Sequence, residues 1–340
     1  MSVLLAVLAL VLSGFILSMW SLRRYIAGGW CYSRARLDGK TVIITGANAG
    51  IGKETARDLA RRGARVIMAC RDVSKATSAR EDIRGTTSRG QLVVRQLDLA
   101  SLASVRAFAD KIKEEEPRLH VLINSAGVMM CPRQLTEDGF EMHFGVNHLG
   151  HFLLTNLLLD LLKSSSPARV VNVSSIAHGS GKIHWDDVNM TNTYDRFDAY
   201  GQSKLANMLF TRELSKRLEG TGVTANCLHP GVVQTQLFRH IQAEKPDGVV
   251  GLAMSLINLA PGFFFKSAIE GAQTSIYSAV AEELTEISGM YFADCAPRMP
   301  SAVALNEEEA RKLWTLSARL VGLEKRVEWK KDSSSHCPKE

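Results

Sequence analysis

The stretch from Val42 to Gly52 constrains the fold of this chain more than any other. A short β-branched run, Val42 to Thr45, leads into Gly46-Ala47-Asn48-Ala49-Gly50-Ile51-Gly52. A helical pattern follows, with Leu59 and Ala60 on its apolar face, and ends near Gly63. Glycines in such a turn let the backbone come close to a pyrophosphate, and the opening helix offers unpaired amide donors and a partial positive charge. The spacing is Gly-x-x-x-Gly-x-Gly, not the commoner Gly-x-Gly-x-x-Gly. A strand before it and a helix after it give the motif its meaning.

Alternation then continues along the chain. Arg65 to Cys70 reads as a strand, as does Gln91 to Leu97, which ends at Asp98-Leu99. Ser101 to Glu115 reads as an amphipathic helix with Ser101 as its cap. Val121 to Ile123 is a strand ending at Asn124-Ser125-Ala126-Gly127. A helix from about Phe140 to Leu162 carries Asn147. The strand Ala168 to Val173 ends at Ser174-Ser175, and Val223 to Leu228 ends at His229-Pro230-Gly231, with Val233 and Thr235 just beyond. Strands alternating with helices over short connections predict an α/β fold, a doubly wound parallel sheet of Rossmann type. We place this single domain at 38–325. The second strand ends where an NAD-selective fold carries a carboxylate for the ribose 2′-hydroxyl. Arg71 follows it here, and a guanidinium suits a 2′-phosphate, so NADP(H) is favoured. Asp72 comes next and keeps NAD open.

A second constellation lies at Tyr200-Gly201-Gln202-Ser203-Lys204, in a segment that reads as a helix to about Leu218. Residues four apart share one helix face. A phenol titrates near 10, and an ammonium close by favours the phenolate, which predicts a lowered pKa and a proton-transfer group for an alcohol/carbonyl pair. His148, His151, His178 and His229 are dispersed without ligand spacing, so they read as structural or surface histidines and no metal is expected. The six cysteines are scattered without CxxC pairs and read as reduced core thiols. A hydrolase lacks its Gly-x-Ser-x-Gly elbow.

The ends of the chain are different in character. Met1 to Leu22 contains no charged side chain, and about 20 helical residues span a bilayer core of roughly 30 Å. Arg23 and Arg24 follow this run instead of preceding it, which favours an uncleaved transmembrane signal-anchor at 1–22 over a secretory signal. The basic stretch 23–37 then reads as a juxtamembrane linker that keeps the domain on the cytoplasmic side. Net charge is +6 without an interleaved basic–aromatic patch, which argues against nucleic acid. A polar tail, 326–340, reads as disordered. The uncharged run Val249 to Phe265, within an expected lid at 237–268, leaves three readings: a second span, a packed lid, or a lid resting on the bilayer.

Taken together, these motifs resemble the short-chain dehydrogenase/reductase family over roughly Asp38 to Val321. The runs Thr136 to Met142, Val146 to Phe152 and Ser203 to Asn207 are similar to its microsomal retinol dehydrogenases. The resemblance implies a catalytic set of Asn147, Ser175, Tyr200 and Lys204. Tyr200 would exchange the proton, Lys204 would hold the nicotinamide ribose, and Ser175 would bind the reacting substrate oxygen. Asn147 would hold a water linking Lys204 to solvent. It also implies cofactor contacts from Gly46, Asn48, Ala49, Gly50, Ile51, Gly52, Arg71, Asp98, Asn124, Ala126 and Gly127. Further contacts would come from Tyr200, Lys204, Pro230, Gly231, Val233 and Thr235. Ser125 departs from the family's usual second asparagine, and Ala49 stands where many NADP-selective members carry a basic residue. The activity implied is NADP(H)-dependent interconversion of retinal and retinol, or of other apolar aldehydes and alcohols. A steroid or lipid-carbonyl reductase, a silent dinucleotide sensor and a sugar-nucleotide epimerase are the other readings weighed. The expected site is the endoplasmic reticulum membrane with a cytosolic domain, the mitochondrial inner membrane being the alternative. A homodimer is left open.

Overall fold

A computed structural model of the chain describes residues 2–233 and 261–323. Thr235, the expected lid apart from 261–268, and the expected tail lie outside the described residues. The described strands form one sheet in the order β3-β2-β1-β4-β5-β6-β7-β8. They are β1 (Thr41–Thr45), β2 (Arg65–Cys70), β3 (Gln91–Gln96), β4 (Val121–Asn124), β5 (Ala168–Val173), β6 (Val223–Leu228), β7 (Tyr291–Ala293) and β8 (Ala296–Pro297). All pairings are parallel except β7 with β8.

The first connections run outward from β1 through α2 (Gly50–Arg61) and α3 (Val73–Arg84). The chain then returns through α4 (Leu102–Glu115) to β4, on the opposite side of β1. The reversal between β1 and β4 opens a crevice at the carboxyl ends of these strands, the standard ligand position in open α/β sheets. Such a sheet is covered on both faces, so its central strands read as mostly apolar runs. Strand parity sorts the side chains cleanly. Ile43, Ile67, Leu122 and Val170 face one core, beneath α4, α5 (Gly150–Ser164) and α6 (Arg196–Arg217). Val42, Ile44, Val66, Met68, Ile123 and Val171 face the other, beneath α2, α3 and α8 (Ala268–Val280). Between lies the short α7 (Pro261–Phe264), and α9 (Glu307–Leu320) closes the first face by packing on α6.

The N-terminal helix α1 (Ser2–Ala27) stands outside both cores. Its stretch Val3–Ala27 contains an 18-residue window with a mean hydropathy of 2.5 and is long and apolar enough to cross a membrane. The stretch expected as a linker is divided in two. Through Ala27 it continues α1, and from Gly28 it becomes a strap laid on the domain. The Cys31 N–H donates to Gln273 Oε1 (3.1 Å) and Ser33 Oγ to Glu282 Oε2 (2.7 Å). Arg62 Nη1 donates to the carbonyls of Ser33 and Ala35 at 2.9 and 3.0 Å. Cys31 and Leu37 are buried in the second core. The five cysteines of the described residues are free thiols.

Candidate active site

The glycine turn is held by close backbone approaches. Gly46 has a φ of +71°, and a Cβ there would stand 2.9 Å from Ala126 Cα. A Cβ on Gly52 would lie 2.5 Å from the Gly46 carbonyl oxygen. Only glycine fits either place. Ala49 is the N-cap of α2 but makes no side-chain cap, which leaves the first-turn amides facing the crevice. Opposite the turn, the amides of Ser125 and Ala126 donate to Thr45 Oγ1, both at 2.9 Å. The Thr45 hydroxyl donates to His151 Nε2 (2.8 Å), and His151 Nδ1 donates to the Asn147 carbonyl (3.0 Å). Burial holds His151 down at about 4, so this neutral tautomer is the stable one.

A cavity of about 520 Å³ lies above β1 and β4. Gly46, Asn48, Ala49, Gly50, Ile51, Gly52, Arg71, Asp98, Ala126 and Gly127 line it on the side of the glycine turn. Ser175, Tyr200, Lys204, Pro230, Gly231 and Val233 line the other. Asn124 is not among the lining residues. As the last residue of β4 it shares the face of Leu122, so it turns into the core. There its Nδ2 donates to Asn172 Oδ1 (2.7 Å) and Thr155 Oγ1 (3.0 Å), tying β4 to β5 and α5. Its side chain thus has a scaffold role.

Arg71 is exposed at the rim and has no ion pair or hydrogen bond among the described residues. Asp72, the competing residue, is engaged. Its carboxylate caps α3 by accepting from Lys75 N (2.9 Å), and that bond holds its pKa below the usual range.

The helix expected from Phe140 contains a π-helical stretch, Phe144–Leu149, before it continues as α5. Such bulges recur at functional sites. This one buries Asn147 against the neighbouring loop. Asn147 Oδ1 accepts from Val128 N (2.8 Å), and Nδ2 donates to the Val128 carbonyl (3.0 Å) and to Ser203 Oγ (2.9 Å). A Cβ on Gly127 would lie 3.1 Å from Asn147 Oδ1 and 3.7 Å from Lys204 Nζ. Asn147 is therefore behind the cavity wall, braced against the residues that form it.

Helix α6, buried around almost its whole circumference, carries Tyr200 and Lys204. Lys204 Nζ donates to the Val173 carbonyl (3.2 Å) and lies 5.6 Å from the centre of the Tyr200 ring. Burial lowers its pKa to about 8. Burial also raises the Tyr200 phenol, against a smaller lowering by its hydrogen bond to Ser175. The direction at Tyr200 is opposite to the one expected from the Tyr/Lys spacing. Desolvation outweighs Lys204, which sits over the ring face rather than at the hydroxyl. Both serines line the cavity, but Ser174 is buried with its Oγ donating to the Lys204 carbonyl (2.8 Å), whereas Ser175 is the one hydrogen-bonded to Tyr200. His178 Nδ1 donates to the Ser175 carbonyl (2.7 Å) and fixes that turn. His148 Nε2 contacts Ser317 Oγ at 2.7 Å and His229 Nδ1 accepts from Gly231 N at 3.0 Å, both structural contacts.

Sequence reading missed a polar network beside Tyr200. Glu141 and His143 are fully buried, with Glu141 Oε1 2.7 Å from His143 Nδ1 and Cys131 Sγ 3.4 Å from Nε2. Burial opposes the imidazolium, but the bonds to Cys131 and Glu141 and the Glu141 charge raise His143 to about 9. The His143 ring meets Tyr200 edge-on at 6.1 Å. Met130, with a φ of +54°, and Met129 pack on the Tyr200 side of this wall. The Glu-x-His spacing of Glu141 and His143, immediately before Phe144, was the signal available.

The profile of the family described as short chain dehydrogenase matches residues 40–246. Retinol dehydrogenase 13 of Homo sapiens is 56% identical over 306 residues, covering 89% of this chain and 91% of that protein. A solved, uncharacterized protein from Mycobacterium paratuberculosis shares 40% identity with a TM-score of 0.68, covering 86% of this chain and 98% of that one. The Pseudomonas aeruginosa RhlG/NADP active-site complex shares 26% identity with a TM-score of 0.59, covering 76% and 95%.

Proposed function

Because this chain belongs to the short-chain dehydrogenase family and is a retinol dehydrogenase-like oxidoreductase, we propose that it interconverts retinol, or another long apolar alcohol, with its aldehyde using NADP(H). One observation carries the reading: Ser175, Tyr200 and Lys204 converge on the same cavity as the glycine turn and Arg71. The close approaches at Gly46 and Gly52 form a cradle fitted to a pyrophosphate. Arg71 would meet the 2′-phosphate, and Lys204 the nicotinamide ribose. The dinucleotide, when bound, supplies or accepts the hydride.

The proton chemistry belongs to the chain. In reduction, Tyr200 Oη gives its proton to the substrate carbonyl oxygen, and in oxidation it takes one from the alcohol. Ser175 Oγ hydrogen-bonds the same oxygen as charge develops on it. The raised phenol keeps its proton at neutral pH, the form that aldehyde reduction starts from, and its hydrogen bond to Ser175 works against the rise. Lys204, with its pKa near 8, is poised to pass a proton on, and Asn147 keeps the Gly127–Val128 wall against it. Met129, Ile176 and Val232 make the substrate side apolar. The anchor reading of α1 and its basic flank supports residence in the endoplasmic reticulum membrane with this domain on the cytosolic side. Tyr200→Phe tests the assignment in purified full-length protein, with NADPH and retinal as substrates. Turnover falls by a factor of about 10² to 10⁴ while NADPH binding is retained. Turnover within a few-fold of the parent would remove Tyr200 from its role.

A further inference from the structure

The membrane end of α1 is fastened to the domain. Arg23 Nη2 donates to both carboxylate oxygens of Glu270, at 2.6 and 2.8 Å. Glu270 in turn closes a capping box with Ser267 at the start of α8. The short α7, which precedes this cap, packs directly against α1. α1 has 26 residues, a length of about 39 Å at helical rise, against a hydrocarbon core of roughly 30 Å. Arg23 and Arg24 are the first charges along it, so they mark the headgroup level. Whatever packs on α1 beside Arg23 lies at that level too.

Two large apolar side chains there are uncovered. Phe264 of α7 is 44% exposed, and Ile269, in the first turn of α8, is 52% exposed. Phe263 meets Phe264 edge-on at 5.2 Å. On α1 itself, Trp20 is 61% exposed with the Arg24 guanidinium 5.7 Å from its ring, a pairing suited to a membrane interface. The same surface leads to the cavity. Lys266, two residues past Phe264, donates its amide to the Val232 carbonyl (2.9 Å). Val232 lines the cavity and is itself half exposed.

We propose that α7 and the first turn of α8 form a second contact with the bilayer that α1 spans, seated at the boundary of headgroups and acyl chains. The cavity mouth at Val232 then opens toward lipid, and an apolar aldehyde or alcohol enters it from the hydrocarbon without crossing water. The partner is the phospholipid bilayer, identified by continuity with the anchor and by the apolar face beside it. The entry route rests on the oxidoreductase reading above; the membrane contact does not.

The test uses the full chain in phosphatidylcholine liposomes containing a phospholipid with a photoactivatable diazirine on its acyl chain. After irradiation, adducts are mapped by mass spectrometry. They are expected on α1 and also within residues 261–269. Adducts confined to α1 would overturn the proposal. Kinetics supply the second arm, with the double variant Phe264→Ser/Ile269→Ser. Its KM for a long-chain aldehyde dissolved in the liposomes rises several-fold, while KM for a short water-soluble aldehyde stays at the parent value. Equal changes with both substrates, or none with either, would overturn lateral entry. If the parent reduces neither aldehyde, the oxidoreductase reading fails, and the adduct map still decides the membrane contact.

Discussion

Removing the Asn147 side chain separates its structural work from its place in the reaction. Asn147→Ala deletes an acceptor 2.8 Å from the Val128 amide and donors to the Val128 carbonyl and to Ser203 Oγ. Ser203 keeps its bond to the Tyr200 carbonyl (2.8 Å), so it is not orphaned. The Val128 amide and carbonyl are left partly buried without these partners. A buried amide without an acceptor costs about 1–3 kcal/mol, and a small cavity adds to it, so the loss is about 3 kcal/mol. For a domain of this size that corresponds to a fall in Tm of roughly 6–10 °C. The measurement is thermal unfolding of the full chain in detergent micelles, followed by tryptophan fluorescence. Asn147→Asp keeps the acceptor but loses both donors and falls between the two. Turnover is lost in step, because the Gly127 backbone no longer has its peg against Lys204. An Asn147→Ala protein that melts within a degree or two of the parent would refute the bracing role, whatever happens to its turnover.

Two other substitutions probe the charges around the cavity. Arg71→Gln weakens NADPH binding by about ten- to a hundredfold and leaves NADH unchanged, as read by cofactor fluorescence titration; equal losses would show that Arg71 acts through the fold. For His143→Gln the effect depends on pH. The folded His143 titrates at about 9, above the ordinary 6.5, so the native state holds its proton more tightly than the unfolded chain. Its contribution is fully present below about pH 6.5, amounts to about 3 kcal/mol, and is lost as pH rises through about 9. The gap in Tm between parent and variant should therefore narrow from pH 6 to pH 9.5, and a gap that widens would contradict the buried Glu141–His143 pair.

The parts of the site that were legible in the sequence are those set by local backbone geometry. Gly46 to Gly52 can be read because positive φ and close packing exclude other residues at particular places in the turn. Tyr200 and Lys204 can be read because four residues make one helical turn. Their electrostatics could not be, since desolvation depends on everything packed around α6 and outweighs the pair interaction. The inward turn of the Asn124 side chain could be read from strand parity, since it shares the face of Leu122. α3 was passed over because its apolar stripe is only Ala76, Ala79 and Ile83, and β7 because it has three residues. The Cys131–His143–Glu141 network pairs residues that only the folded chain brings side by side.

The strap from Gly28 to Leu37 bears on how a soluble form of this protein should be made. Similarity to the family profile starts at residue 40, which invites a cut at that point. Such a cut would take away the partner of Gln273 and of Glu282, the two carbonyls that hold Arg62, and the apolar cover supplied by Cys31 and Leu37. Gly28 and Gly29 also abut Asp294, whose carboxylate pairs with Lys266 beside Gly231 in the cavity wall. A deletion ending at Ala27 removes the apolar helix and spares all of these contacts. The cleavage point for preparing the protein without its apolar helix is thus at the glycine pair, a dozen residues before the family profile begins.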